Sequence, residues 1–382
     1  MRVAGVALFG LLLVAASLVA ETAAFQWDIP RPFPRPPVPS DNPMSAAKVE
    51  LGRYLFYDRR MSVNGKTSCA TCHRQELAFT DGRARAEGTT GEMHPRSSMS
   101  LANVAYLPSL TWVNPDLDRL EDQAFLPIRG TSPIELGMKD SEDRFLSEVK
   151  LDPVYLRLFP QAFPESASPH TLVNVTKSIA AFERTLISVR SPYDRYNFGN
   201  EPDAISAAAK RGELLFFSGQ KAGCFQCHGS WNFDGQLRFE GGPNVRTVFL
   251  NTGLYNVAGR YSFPEPNTGL FQFTGRPADV GKFRAPTLRN IAVTAPYMHD
   301  GSIPTLSEVI DHYAAGGRTI TSGPYAGVGR DNPNKAPNLA GFRISESEKQ
   351  DLIAFLESLT DSDFLHNPGF SDPWSSQNGG VH

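Results

Sequence analysis

The chain has four cysteines, and all four fall in two copies of the pentapeptide C-x-x-C-H: Cys69, Cys72 and His73 in the first, Cys224, Cys227 and His228 in the second. Two thiols one helical turn apart suit thioether attachment of a haem, and the histidine that follows directly can reach the iron as its proximal ligand. A structural zinc site has no need of a histidine immediately after each pair, and a dithiol redox motif needs one pair in a strand-helix setting. The spacing therefore implies two covalently bound c-type haems, and no cysteine is left for a disulfide.

The first residues bear on the compartment. Met1-Arg2 is a short basic start, Val3 to Ala20 is an apolar run, and Thr22-Ala23-Ala24 offers small residues for cleavage, which is the pattern of a secretory signal over residues 1–24. A membrane anchor is the rival reading of the same run; its position at the extreme N-terminus and its small-residue exit favour removal. The mature chain then starts near Phe25 and, in a bacterium, works in the periplasm with no stable membrane insertion. Basic and acidic residues nearly cancel, 37 against 40, which gives nucleic-acid binding no electrostatic support.

At 382 residues the chain exceeds the usual single core, so two domains are expected. An internal repeat locates them. Ala47 to Phe56 precedes the first attachment site and Ala209 to Phe217 the second, and each reads as a helix with one apolar side. The expected fold is mainly α, with two cytochrome c-like haem domains over 44–200 and 201–382 and the haems at their interface. A proline-rich arm over 25–43 precedes them, too dense in proline from Pro30 to Pro39 for helix or inner strand. Gly and Pro, 32 and 30 residues, predict long loops between modest helices. Apolar residues at helical spacing predict a core helix over 172–189 with no chemistry of its own. Thr305 with Glu308 and Ser345 with Glu348 match the capping box and predict two more helices, the first stopping at Gly316-Gly317 and the second running through Leu359.

A haem iron has two axial positions, and the second ligand decides between electron transfer and chemistry. For the haem at His228 the residues leave four candidates open: Met298, His299, His312 and Tyr313. Spacing alone does not choose among them.

Two further blocks, Phe283-Arg284-Ala285-Pro286-Thr287-Leu288-Arg289-Asn290 and Thr294-Ala295-Pro296-Tyr297-Met298-His299-Asp300-Gly301, are highly specific. With the two attachment sites and Leu120-Glu121-Asp122-Gln123-Ala124, they make the chain resemble the di-haem cytochrome c peroxidase superfamily. Within it the chain is similar to the MauG-like oxidases, over essentially the whole mature length. The segment Thr90-Gly91-Glu92-Met93-His94-Pro95-Arg96 is most similar to the methanobactin-associated (MbnH-like) group. The resemblance implies that the distal ligand of the second haem stands nineteen residues beyond Thr294, which is Tyr313. Ordinary peroxidases carry methionine there. A phenolate is a hard anionic donor that stabilises oxidised iron, whereas a thioether favours reduced iron.

The same resemblance assigns the peroxide site to the first haem. A peroxidase histidine about sixteen residues after the proximal one would fall near Thr89-Thr90, where none stands; His94 follows five residues later, a candidate to reach in but on a loop beside Pro95. Glu135 matches the distal acid-base glutamate and Gln123 and Pro127 the pocket residues before it, although the interval is two residues longer than usual, through Arg129-Gly130-Thr131. Glu121 is the alternative carboxylate. Trp112 is nearest to the tryptophan that shares electrons between the haems, one residue out of register, and Thr294, Pro296 and Ser97 match the oxygen donors of a calcium ion between the domains. MauG's surface tryptophan before the second motif is replaced by Ala222, and Trp231 is the candidate substitute.

These implications combine into one expected function. The chain would be a periplasmic di-haem oxidase in which hydrogen peroxide generates a bis-Fe(IV) state that oxidises tryptophan on a partner protein, with kynurenine formation in a copper-binding partner as the specific form. The alternative is a di-haem cytochrome c peroxidase that reduces peroxide with electrons from a small cytochrome. A plain electron carrier would need two six-coordinate irons.

Overall fold

Each half of the chain is organised around one close crossing of two helices. The computed structural model describes residues 25–259 and 261–375, so the apolar segment read as a signal lies outside the described residues. The principal helices of the first half are α1 (Ala46–Tyr57), the short α2 (Cys69–Cys72), α3 (Pro153–Ala162) and α4 (Leu172–Glu183). Those of the second are α5 (Ala207–Phe217), the short α6 (Phe225–His228), α7 (Leu306–Ala314) and α8 (Glu346–Glu357). The described strands are two-residue pieces: β1 (Phe249–Leu250) pairs antiparallel with β2 (Phe283–Arg284), and β3 (Thr319–Ile320) with β4 (Gly327–Val328). The molecule is therefore mainly helical. No described helix is long and apolar enough to cross a membrane.

The repeat in the sequence becomes a repeat in packing. α1 lies against α4 at Gly52, and α5 lies against α8 at Gly212. At Gly52 an added Cβ would stand 1.9 Å from the Ser178 carbonyl oxygen, and at Gly212 it would stand 1.9 Å from that of Asp351. Glycine is required at both because the partner backbone occupies the space a side chain would take. Ser45 caps α1 by accepting from the Lys48 amide, and Ser206 caps α5 by accepting from the Ala209 amide. Each helix then delivers a phenylalanine, Phe56 or Phe216, to its own core, and the chain turns from there into C-x-x-C-H.

Two helix ends differ from the sequence reading. α4 stops at Glu183 rather than reaching Val189 because the backbone beyond it is claimed by Asn103: the Asn103 amide donates to the Leu186 carbonyl, and the Ser188 amide donates to Asn103 Oδ1 at 2.8 Å. Leu186 and Val189 remain buried in an irregular segment. The capping box is complete at Ser345. At Thr305 it is half formed, since Glu308 takes the Thr305 hydroxyl at 2.7 Å instead of the cap amide.

The cores also depart from a clean division at residue 200. The last described residues cross back to the first half, where Trp374 packs edge-on to Tyr54 at 4.9 Å and donates its indole N–H to the Tyr54 carbonyl, while Phe364 sits against Phe79. The proline-rich arm crosses the other way. Its Phe33 packs on Trp231 at 5.1 Å and on Phe198, and the Pro34 carbonyl accepts from the Tyr106 hydroxyl at 2.6 Å. A further cluster joins Val113 and Trp112 of the first half to Leu254, Phe263, Phe283 and Tyr297 of the second.

Gly212→Ala is expected to destabilise the protein by about 1–3 kcal/mol through overpacking against α8. Gly219→Ala, where an added Cβ meets nothing within 4 Å, should be close to neutral. Thermal unfolding of the two variants checks this, and equal melting temperatures would refute the close-crossing argument.

Candidate active site

Both attachment sites use the same local device. The His73 amide closes onto the Cys69 carbonyl at 2.9 Å, and the His228 amide closes onto that of Cys224 at 2.9 Å. The His73 Nδ1 bonds the Phe79 carbonyl at 2.7 Å, and the His228 Nδ1 bonds the Phe233 carbonyl at 2.9 Å. Both phenylalanines hold left-handed backbone, φ 61° at Phe79 and 56° at Phe233, which turns the carbonyl back toward the imidazole. Such strain is kept where surrounding packing fixes it, here Phe56 against Phe79 and Phe216 against Phe233. A proton fixed on Nδ1 leaves Nε2 as the metal-binding nitrogen, and burial lowers both imidazoles' pKa so that they stay neutral. These orienting carbonyls were not read from the sequence, because backbone geometry carries them.

A cavity of about 480 Å³ opens beside Cys69, Cys72 and His73. Its walls include Trp112, Gln123, Pro127, Glu135, His94, Arg96 and Glu183. Glu135 is half-buried there, and its removal from water raises the carboxyl to about 7. The longer interval before it is absorbed by an outward loop: Leu136 N–H donates to the Pro127 carbonyl and Met138 N–H to that of Ile128, so residues 129–135 bulge between anchored ends. Glu121, the alternative carboxylate, is not in this wall. It is buried in an ion pair with Arg184 at 2.9 Å and accepts from Asn42 at 2.7 Å. His94 does line the cavity, and it takes the Arg96 amide on Nδ1 at 3.1 Å; burial and the nearby Arg96 lower its pKa to about 4.

Glu183 is a residue the sequence reading passed over. The helix given no chemistry ends with this carboxyl beside the Cys69 thiol; burial raises it to about 8, and its Oε2 has no partner. An acidic residue on the buried face of an apolar helix was the available signal.

Burial raises the Tyr313 phenol above the usual range, with the Cys227 and Cys224 thiols a smaller influence in the same direction. The other three candidates lie elsewhere. His299 is stacked on Phe283 at 3.7 Å, and Met298 belongs to the cluster around Phe263 and Phe283. His312 is buried edge-on to Tyr313 at 4.9 Å, with Thr252 and Arg318 as neighbours. A smaller cavity of about 160 Å³ is lined by Cys227, Asp234, Gln236, Thr247 and Arg284.

The donor sets fit haem. Each cysteine pair adjoins a buried histidine whose Nδ1 is held by a backbone carbonyl, and Cys69, Cys72 and Cys227 line cavities. Buried Arg284 and Arg96 form no ion pair among the described residues, and Gln236 Oε1 and Thr247 Oγ1 lack hydrogen-bond partners. The Arg284 guanidinium, with Asp234 as a nearby carboxylate but no ion pair, suits the carboxylates that a haem brings.

Trp112 joins a wall of the first cavity to a residue of the second. It lines the first cavity, its indole N–H donates to the Ser97 carbonyl at 3.0 Å, and its own carbonyl accepts from the Arg284 amide at 3.0 Å. Of the expected calcium donors, Ser97 is tied through its amide to the His299 carbonyl at 2.9 Å, and the Thr294 hydroxyl donates to the Ile291 carbonyl at 3.2 Å. Pro296 follows two residues after Thr294 in the same turn. Trp231 departs from the part of surface relay suggested for it: it packs beneath Phe33 and Tyr106, and the Arg289 guanidinium lies over its ring at 5.4 Å.

Comparison with known proteins agrees with this geometry. The family described as di-haem cytochrome c peroxidase matches residues 46–202, and a RoxA-like cytochrome c-like family matches residues 282–314. The chain is 37% identical to the methylamine utilization protein MauG of Methylorubrum extorquens, covering 86% of this chain and 83% of that one. It is 35% identical to the cytochrome-c peroxidase IdrP1 of Denitromonas iodatirespirans, covering 96% and 97%. A solved MauG-like protein associated with microbial copper homeostasis superposes with a TM-score of 0.89 at 46% identity, over 92% of this chain and all of that one. The chain belongs to the di-haem cytochrome c peroxidase family, in its MauG-like group, and is an oxidoreductase with cytochrome c-like haem domains.

Proposed function

We propose that this protein is a periplasmic oxidase that uses hydrogen peroxide to oxidise a tryptophan on a partner protein. Tyr313, a buried phenol on α7 where the resemblance puts the second iron's distal ligand, carries this reading. An oxygen donor at the second iron favours retention of oxidising equivalents, where a thioether favours electron delivery. When bound, the two haems supply the two-electron redox chemistry with peroxide. The basic start, apolar run and small-residue exit of the N-terminus support the compartment.

The chain's own residues handle protons and position. Glu135, with a carboxyl near 7, is poised to take a proton from peroxide and return it to the departing oxygen. Gln123 and Pro127 shape the same wall, and the Phe79 and Phe233 carbonyls hold the two imidazoles in one tautomer. Trp112 passes electrons between the sites in this reading, supported by its place in the first cavity's wall and its backbone bond to Arg284 of the second half. A calcium ion on oxygens of Thr294, Pro296 and Ser97 would brace the same junction. The similarity to a MauG-like protein associated with copper homeostasis supports a copper-binding partner and kynurenine as product. The second reading, a peroxidase fed by a small cytochrome, is supported by the similarity to IdrP1.

Mass spectrometry of a candidate partner before and after peroxide treatment tests the proposal. Gain of oxygen on one tryptophan is the expected result, and rapid peroxide turnover with a small cytochrome and no such gain would sink it. Glu135→Gln should slow reaction with peroxide by about 10²–10⁴-fold. Because the base acts only when ionised, the wild-type rate should fall as pH drops through about 7, and this limb should vanish in the variant. Stopped-flow absorbance measures both. Tyr313→Met should leave both haems attached and abolish the long-lived oxidised form; unchanged iron spectra would disprove the ligand role.

A further inference from the structure

A line of rings runs from the junction of the two halves to the surface. Trp112 meets His299 at 6.5 Å between centroids, His299 meets Phe263 at 5.9 Å, Phe263 meets Tyr255 at 5.4 Å, and Tyr255 meets Tyr325 at 5.6 Å. Every step lies within ordinary aromatic contact. The inner rings are buried, His299 at 5% and Tyr255 at 6% exposure, whereas Tyr325 is 47% exposed in the turn between β3 and β4.

The buried tyrosine is equipped for oxidation. Removing an electron from a phenol makes its proton strongly acidic, so a buried tyrosine can be oxidised at low cost only beside a base. Tyr255 donates its hydroxyl to Asp300 Oδ2 at 2.6 Å. Burial raises the Asp300 carboxyl, but His299 and the hydrogen bonds from Tyr255 and Ser302 outweigh it and hold the group ionised below its usual range. The competing exit at Trp231 lacks this. The Trp231 ring is covered by Phe33 and Tyr106 and lies under the Arg289 guanidinium, whose carboxylate partner Asp194 is already committed to that ion pair.

We propose that Trp112, Tyr255 and Tyr325, coupled through the rings of His299 and Phe263, form a conduit that carries oxidising equivalents to the β3–β4 turn, where an aromatic side chain of the partner protein gives up its electrons. The conduit rests on the peroxide-oxidase reading above. One electron passes from the partner's ring to Tyr325, one from Tyr325 to Tyr255, and one from Tyr255 to Trp112. The Tyr255 proton crosses to Asp300 and returns when the phenol is re-reduced, while the exposed Tyr325 exchanges its proton with water. Two such passages with two protons reduce one hydrogen peroxide to two waters.

The test uses the diferric holoprotein with one equivalent of hydrogen peroxide, a nitroso spin trap and no partner protein. Tryptic peptides are then read by mass spectrometry. The peptide from Thr319 to Arg330 holds Tyr325 as its one aromatic residue, and it should carry the trap. Tyr255→Phe should lower that labelling at least tenfold per peroxide consumed, which direct attack on an exposed tyrosine would not do. Tyr325→Phe, in an exposed turn, should lose the adduct yet keep a tyrosyl signal in electron spin resonance, now on Tyr255; this variant keeps the test open if Tyr255→Phe does not fold. Labelling at Trp231 with none at Tyr325, equal labelling in Tyr255→Phe, or no tyrosyl signal in Tyr325→Phe would overturn the conduit alone. Peroxide left unconsumed with unchanged haem spectra would overturn the oxidase reading and the conduit with it.

Discussion

Two asparagines in left-handed backbone, Asn103 with φ 58° and Asn290 with φ 60°, hold the halves of this molecule in register. Asn103 Nδ2 donates to the Ser188 carbonyl and to Asn232 Oδ1 at 2.9 and 2.8 Å, while its Oδ1 takes the Ser188 amide. Asn290 Nδ2 donates to the Ser188 hydroxyl, and its Oδ1 accepts from the Asp361 amide at 2.7 Å. All of these groups are buried, so each unmade bond would carry a desolvation cost of about 1–3 kcal/mol. A network of this kind is satisfied in one arrangement, and that arrangement fixes the first attachment site, the second and Trp112 relative to one another.

The buried Arg289–Asp194 pair extends the same constraint. Its two bonds of 2.7 and 2.8 Å are shielded from water, and Arg289 also donates to the Trp231 carbonyl just beyond the second haem motif. Asp194 in turn takes the Ser191 amide as part of a capping box. The Thr287-to-Asn290 block therefore serves placement: its polar atoms reach two separate segments, Trp231–Asn232 just after the second haem motif and Ser188–Asp194 ahead of α5.

The chemistry-bearing patterns were legible because they are local. C-x-x-C-H is one turn of chain, the paired Ala47-to-Phe56 and Ala209-to-Phe217 helices carry their own caps and apolar faces, and the Ser345 capping box is complete within four residues. Readings that needed three dimensions fared differently. Glu121 and Glu135 were rivals on spacing, and burial separates them: one is neutralised by Arg184, the other faces the cavity. Glu183 looked like part of a core helix, and Trp231 looked like a surface relay until Arg289 and the proline-rich arm were placed over it.

The sequence by itself determined two C-x-x-C-H repeats, each a thiol pair with a histidine directly after it, and the helices that flank both, since thiol spacing and helical periodicity act over a few residues. The tertiary structure alone decided that Glu135 lines the first cavity while Glu121 is tied to Arg184, where α4 ends, and how the two termini cross between the halves. These outcomes depend on which distant groups compete for the same buried hydrogen bond or exclude the same water, and that competition exists only once the chain is packed.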